Sequence, residues 1–298
     1  MRSTLHEAPL IFTRDLSLRI GNTDVCHALN WQVNPGERWA ILGKNGVGKS
    51  TLLTTLAGLR RPQHGELNLC GVQIGVSPAR PAGLSPSLES TLVQTRIQRV
   101  PTFSRQAQQQ IAKRRGYLAQ HHSDPFSSTV LETALIGRHP HLGRWDWESA
   151  RDRDIAYAAL NEVDLAGLAD RDVQTLSGGE RQRLAIAQLF TQQPQLFLLD
   201  EPLTHLDLSH QVAVMELFKQ KTQANDCSTH TGLSSLVAVL HDPGFAVRYC
   251  DHALLLFGNG EWLAGPAREI ITAKNLTRLY GHPLREIVSD NDRWFIPC

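Results

Sequence analysis

Residues Gly43 to Ser50, Gly-Lys-Asn-Gly-Val-Gly-Lys-Ser, complete the pattern G-x-x-x-x-G-K-[ST], and the apolar run Trp39 to Leu42 leads straight into them. A strand that turns through glycines into a helix narrows the possible folds sharply. Glycine accepts positive φ without a Cβ penalty, and a helix N-terminus presents unpaired N–H groups to an anion. The pattern therefore places Gly43, Lys44, Asn45, Gly46, Val47, Gly48, Lys49, Ser50 and Thr51 around phosphate oxygens, with Lys49 reaching the β- and γ-phosphates and Ser50 offering its hydroxyl to Mg²⁺. From Ser50 onward the apolar spacing is helical, with Leu52, Leu53, Leu56 and Leu59 on the face turned to a sheet.

Two more apolar strands end in chemistry. Leu196 to Leu199 is an unbroken apolar run of the kind buried in a parallel sheet, and it delivers Asp200, Glu201 and Pro202 at its end. Ligands of open α/β sheets bind at that carboxyl edge, where Asp200 is placed to hold a metal shell and Glu201 to orient or deprotonate a water. An acidic pair at a strand end is as readily a solvated turn; the phosphate loop tips the balance. Leu236 to Leu240 is a second such strand, and it delivers His241 to the same edge, within reach of a γ-phosphate or an attacking water. A further loop, Leu176-Ser177-Gly178-Gly179-Glu180, carries paired glycines just ahead of helical spacing at Leu184, Ile186, Leu189 and Phe190.

The rest of the chain frames these motifs. Residues 10 to 42 alternate in short strand-like runs, Gly65 to Ile74 does so again, and a Pro-, Ser- and Gly-rich stretch at 76–104 reads as a surface insertion whose Arg80, Arg96 and Arg99, with Arg105 just beyond, belong to a solvated loop. A short strand is expected to end at Gln120, and residues 129–170 are mostly helical by period. Trp145 and Trp147 there are read either as core packing or as part of a groove for a partner. Thr222 to Ser235 reads as a loose loop, residues 251–263 as two strands around Gly-Asn-Gly, and the end as short helices with a final strand near 294–296.

Charge and composition exclude several classes. Lys plus Arg number 30 against 29 Asp plus Glu, so no nucleic-acid or anionic-lipid partner is expected. No apolar run reaches the roughly 18 residues that would span a bilayer, and the first residues lack a signal-peptide core, so the expected location is cytoplasmic. The five cysteines are scattered and read as reduced thiols. His121, His122, His139 and His141 lack metal-ligand spacing and read as surface or capping residues.

In this order the motifs resemble the ATP-binding-cassette (ABC) ATPases, over about residues 10–285. The resemblance implies a signature loop at Leu176–Glu180, a magnesium-linked glutamine at Gln120, Glu201 as catalytic base, His241 as switch histidine, and Asp207 in the loop that crosses between two sites. It also implies a head-to-tail homodimer in which Ser177, Gly178 and Gly179 of one copy face the nucleotide held by Lys49 of the other. Residues 136–144, residues 241–260, Gly265–Thr272 and Tyr280-Gly281-His282-Pro283 are similar to the iron-siderophore, haem and cobalamin importer group. Ile20 stands where family members carry an adenine-stacking aromatic, and the 76–104 insertion also departs from the family.

The expectation is one α/β domain over residues 1–298: a P-loop NTPase core, an antiparallel β layer and a helical subdomain at 120–176. It would hydrolyse ATP with Mg²⁺ and drive import through separate integral-membrane permease subunits, served by a substrate-binding protein, at the inner face of the membrane. The weighed alternative is a soluble cassette ATPase without a transporter, a scaffold or nucleic-acid-associated factor.

Overall fold

The computed structural model describes residues 8–76, 105–120, 127–223, 233–289 and 292–298. The 76–104 insertion past residue 76, with Arg80, Arg96 and Arg99, His121 and His122, Cys227 and residues 224–232 of the expected loop lie outside them.

The chain opens with β1 (Ile11–Ile20), β2 (Thr23–Val33), β3 (Arg38–Gly43), α1 (Lys49–Leu56), β4 (His64–Leu69) and β5 (Val72–Val76). Four of these strands make an antiparallel sheet in the order β2-β1-β4-β5. Next come α2 (Arg105–Arg114), β6 (Arg115–Leu118), α3 (Val130–Leu135), a 3-10 turn (Ile136–His141), α4 (Ala150–Glu162) and α5 (Gly178–Gln192). The strands β7 (Leu196–Asp200) and β8 (Ser235–Val239) are joined through α6 (Leu208–Gln223). The tail holds α7 (Pro243–Tyr249), β9 (His252–Gly258), β10 (Glu261–Pro266), α8 (Ala267–Ile270), α9 (Ala273–Tyr280), β11 (Leu284–Ser289) and β12 (Asp292–Pro297).

The second sheet runs β10-β9-β3-β8-β7-β6, parallel throughout except for edge strand β10. Its strands are apolar without alternation because both faces are covered. Ala40, Leu42, Phe197, Leu199, Ala238 and Leu255 enter one core with the helices, while Trp39, Ile41, Leu198, Val237, Val239 and Leu254 enter a second core with the antiparallel layer and α1. Phe190 of α5, Phe197 of β7 and Phe218 of α6 meet edge-on, with centroids 5.1–6.1 Å apart, and pin those helices to the sheet.

Several expectations shift. Leu52, Leu53 and Leu56 are buried as anticipated, but α1 ends at Leu56 and Leu59 is 59% exposed. The strand expected to reach Gln120 stops at Leu118. The final strand has a partner that the sequence reading missed, since β11 and β12 form a hairpin with Ile287 opposite Trp294.

Between residues 129 and 170 the chain is helical at its ends and open in the middle. α3, α4 and α5 each start with a capping box, Thr129 with Glu132, Ser149 with Asp152 and Ser177 with Glu180. A buried ion pair, Arg138 Nε to Asp152 Oδ1 at 2.7 Å, joins the 3-10 turn to α4. Trp145 and Trp147 sit on the connecting loop, 84% and 88% exposed, which rules out the core-packing reading. Cys26, Cys70 and Cys250 are buried free thiols, their pKa values pushed by burial up to about 12, 11 and 12.

Candidate nucleotide site

Four neighbouring parallel strands, β3, β8, β7 and β6, end on the same edge, and each carries one part of the site there. β3 feeds the phosphate loop, β7 ends in Asp200 and Glu201, His241 follows β8, and Gln120 follows β6.

The phosphate loop wraps around a buried ammonium. Lys49 Nζ donates to the carbonyls of Gly43 at 2.9 Å and Lys44 at 3.1 Å. Burial lowers the Lys49 pKa, and the charges of Glu201 and Asp200 act against that shift. Gly48 has φ of +102°, and a Cβ there would lie 2.4 Å from Val25 Cγ2, so backbone strain and collision both demand glycine. α1 has neither a side-chain N-cap bond nor an acidic residue in its first turn. Its N–H groups at that end are left for an anion, as a phosphate cradle requires. Asn45 and Gly46 are exposed on the loop, Val47 is buried beneath it, and Thr51 is half-buried in the first turn.

Ser50 Oγ donates to Asp200 Oδ1 at 3.1 Å. Asp200 is 2% exposed, and burial raises its pKa against the Ser50 hydrogen bond. A hydroxyl and a desolvated carboxylate form a hard oxygen pair of the kind that suits Mg²⁺, which takes one or two protein ligands and fills its shell with waters and substrate phosphate.

Glu201 sits at φ +53°, a left-handed conformation that a non-glycine residue holds only where its surroundings enforce it. Its Oε2 accepts from Gln120 Nε2 at 2.9 Å, and its Oε1 lies 2.8 Å from His241 Nε2. Gln120, Glu201 and His241 therefore form one chain of contacts, with the carboxylate only 15% exposed.

The paired-glycine loop stands apart from this cluster. Ser177 is exposed, and its hydroxyl is taken up by its own helix, donating to Glu180 Oε2 at 2.7 Å. Gly178 and Gly179 rest on the turn after β7, where a Cβ at Gly179 would lie 3.3 Å from the His205 carbonyl. Among the described residues, no hydrogen bond joins Ser177, Gly178 or Gly179 to the phosphate loop. Asp207 caps α6 through Ser209 Oγ at 2.7 Å and His210 N at 2.9 Å, bonds that hold its carboxyl well below the ordinary carboxylate range.

Other expectations resolve here. Arg181 donates to the carbonyls of Leu176 and Gln174, in the loop before α5. Arg183 donates to Val163 O at 3.1 Å, at the end of α4. His141 Nε2 lies 2.9 Å from Gln192 O, at the end of α5, in the capping role expected of it. Ile20 is half-buried against the second core and brings no aromatic ring.

The sequence reading missed Gln182. It is 7% exposed, and its Nε2 donates to Pro202 O at 2.8 Å. A signal was present: Gln182, Ala185, Ile186 and Leu189 fall at i, i+3, i+4 and i+7, so a polar residue opens the buried stripe of α5.

Residues 26–204 match the family described as ABC transporter. The chain is 34% identical over 279 residues to the ferric enterobactin transport ATP-binding protein of Escherichia coli, covering 93% of this chain and 88% of that one. It is 34% identical over 280 residues to the hemin import ATP-binding protein of Deinococcus radiodurans, covering 92% and 91%. Among solved structures, an inward-facing conformation of an ABC transporter assigned to the metal-chelate type aligns with a TM-score of 0.75 at 27% identity, covering 98% of both chains. With its phosphate loop, acidic strand end and paired-glycine loop arranged as described, this chain belongs to the ABC transporter family, as an ATP-binding subunit with ATPase activity.

Proposed function

We propose that this chain binds Mg²⁺-ATP at the carboxyl edge of its parallel sheet, and that two copies together hydrolyse it to power import of an iron-siderophore, haem or cobalamin-type substrate. The observation that carries the reading is the unbroken run of contacts Gln120–Glu201–His241 beside the pair Ser50–Asp200 and the buried Lys49. Gly43 to Thr51 would cradle the phosphates. Lys49 would exchange its two backbone carbonyl partners for β- and γ-phosphate oxygens, a charge-assisted contact stronger than the one it leaves. Ser50, Asp200 and Gln120 would hold Mg²⁺, which supplies charge neutralisation to the phosphates.

Glu201 would take the proton of the attacking water as its oxygen bonds to the γ-phosphorus and the bond to the β-bridging oxygen breaks. Its two neighbours fix where its carboxylate points, and His241, half exposed, lies beside it to bond the γ-phosphate. Ser177, Gly178 and Gly179 would supply hydroxyl and N–H donors to the γ-phosphate held by a second copy. That assignment gives the exposed N-terminus of α5 a ligand.

The reading of a permease, a binding protein and placement at the inner membrane face is supported by what the relatives are named for. Both work in transport, one of ferric enterobactin and the other of hemin. The alternative of a soluble factor finds no support in those names. No helix among the described residues is long and apolar enough to cross a membrane. We also assign residues 1–298 to one ABC ATPase domain, with 76–104 as an insertion and 120–176 as the helical subdomain carrying Trp145 and Trp147 toward the permease.

ATP turnover measured alone and after reconstitution with the permease and loaded binding protein, with Lys49→Ala as blank, tests this reading. Stimulation by the loaded complex is expected; turnover indifferent to it would overturn the importer assignment.

A further inference from the structure

We propose that Gln182 is a positioning residue for Glu201, fastening the strained turn that holds the base to the helix that begins with the paired-glycine loop. The inference rests on the reading of Glu201 as the base and deepens it.

Glu201 occupies the left-handed region at φ +53°, immediately before Pro202. Such a conformation persists only when its flanks are fixed, and the flank on the β7 side is fixed by the sheet, where Asp200 pairs with Val239. On the other side the Glu201 carbonyl accepts from Thr204 N at 3.3 Å inside the turn, and the next group is the Pro202 carbonyl. A proline offers no N–H, so this segment is anchored through that carbonyl alone at this residue. The Gln182 amide meets it at 2.8 Å, in a bond closed off from solvent. A buried donor–acceptor pair of this kind is highly directional, and losing the donor leaves the carbonyl unpaired.

Three successive side chains of α5 divide the work. Arg181 holds the loop before the helix, Gln182 holds the turn after β7, and Arg183 holds the end of α4. Gly179 makes a second contact with the same turn, its Cα face lying against the His205 carbonyl. The N-terminus of α5 and the Glu201–His205 turn are thereby joined at two points. A displacement of one is passed to the other, and with it to the carboxylate that Gln120 and His241 hold.

The test compares kcat and KM for Mg²⁺-ATP in Gln182→Met, which keeps the length and removes the donor, with thermal melting recorded alongside. Small misplacement of a reacting group costs turnover steeply, so kcat is expected to fall about tenfold or more while KM stays within about twofold. Wild-type kcat, or a raised KM at unchanged kcat, would overturn the inference. Gln182→Glu gives an independent readout. A buried carboxyl regains a donor when protonated, so its kcat relative to wild type is expected to rise between about pH 8 and about pH 6. A flat ratio contradicts the inference. Glu201→Gln is run beside them: if it retains turnover, the base reading fails, whereas an inactive Glu201→Gln with a fully active Gln182→Met overturns the role of Gln182 alone.

Discussion

At the carboxyl edge of the parallel sheet, the charged and metal-directed side chains of the site already have partners within the chain. Lys49 is held by two carbonyls, Ser50 by Asp200, and Glu201 by Gln120 and His241. At the start of α5 the situation is reversed. Ser177 and Gly178 are exposed, and the serine hydroxyl bonds only within its own helix. The first region is a finished half-site, with Lys49 and Asp200 buried at its centre and their charges coupled to Glu201. The second is a set of donors facing outward. The contrast is what the proposed function predicts of a chain that carries two different halves of a site, with hydrolysis placed where the first half of one copy meets the second half of another.

The largest expected effect breaks the finished half. Glu201→Gln removes the proton acceptor but keeps the shape, so turnover is expected to fall by about 10²–10⁴-fold with nucleotide affinity nearly unchanged, as read by steady-state kinetics and equilibrium binding. Gly48→Ala attacks the same half through its backbone. A Cβ would lie 2.4 Å from Val25 Cγ2 at a residue with φ of +102°, so binding of a fluorescent ATP analogue is expected to be lost.

Away from both halves, Arg138→Ala leaves the buried Asp152 carboxylate without its counter-ion, a defect of about 3 kcal/mol in unfolding free energy measured by denaturant titration. Asp152 also sets a pH dependence there. Its hydrogen bonds from Ser149, and then Arg138, hold its carboxyl down at about 2. Because the folded value lies below the unfolded value of about 3.9, its contribution is complete above that value and is lost as pH falls toward about 2. Asp152→Asn should flatten that part of the stability–pH curve.

The smallest expected effect on stability comes from Trp145→Ala and Trp147→Ala, within about 0.5 kcal/mol because both side chains are exposed. Loss of permease-stimulated turnover in these stable variants would sharpen the contrast by adding a third, outward-facing contact. A large drop in melting temperature would contradict it.

The finished half was the more legible of the two from sequence. β3 and β7 end in Gly43 and Asp200, and His241 follows just after β8, so apolar runs together with the phosphate-loop motif placed three chemistries on one edge. What periodicity does not encode is reach. That Gln120 and His241 grip the two oxygens of one carboxylate depends on strand order β3-β8-β7-β6, a long-range pairing with no local signature. Gln182 was hidden for a related reason: it sits on an apolar stripe, and its polarity has a meaning only once the Pro202 carbonyl is beneath it. Leu59 misled because its spacing continues the face of α1, while the turn at Gly58, φ +72°, has already ended the helix. The hairpin partner β11 was missed because its mixed, largely exposed residues lack the burial contrast that marks a strand.

The central claim is that the donors of α5 serve the nucleotide held by another copy. Mixing Lys49→Ala chains with Ser177→Arg chains tests it most directly, because each alone lacks a different half while a mixed pair contains one intact composite site. Each variant alone should be inactive, and mixing with exchange of partners should restore up to about a quarter of wild-type turnover, since half of randomly formed pairs are mixed and each holds one of two symmetric sites. Two inactive variants that stay inactive after verified exchange would contradict the account and place both halves within one chain.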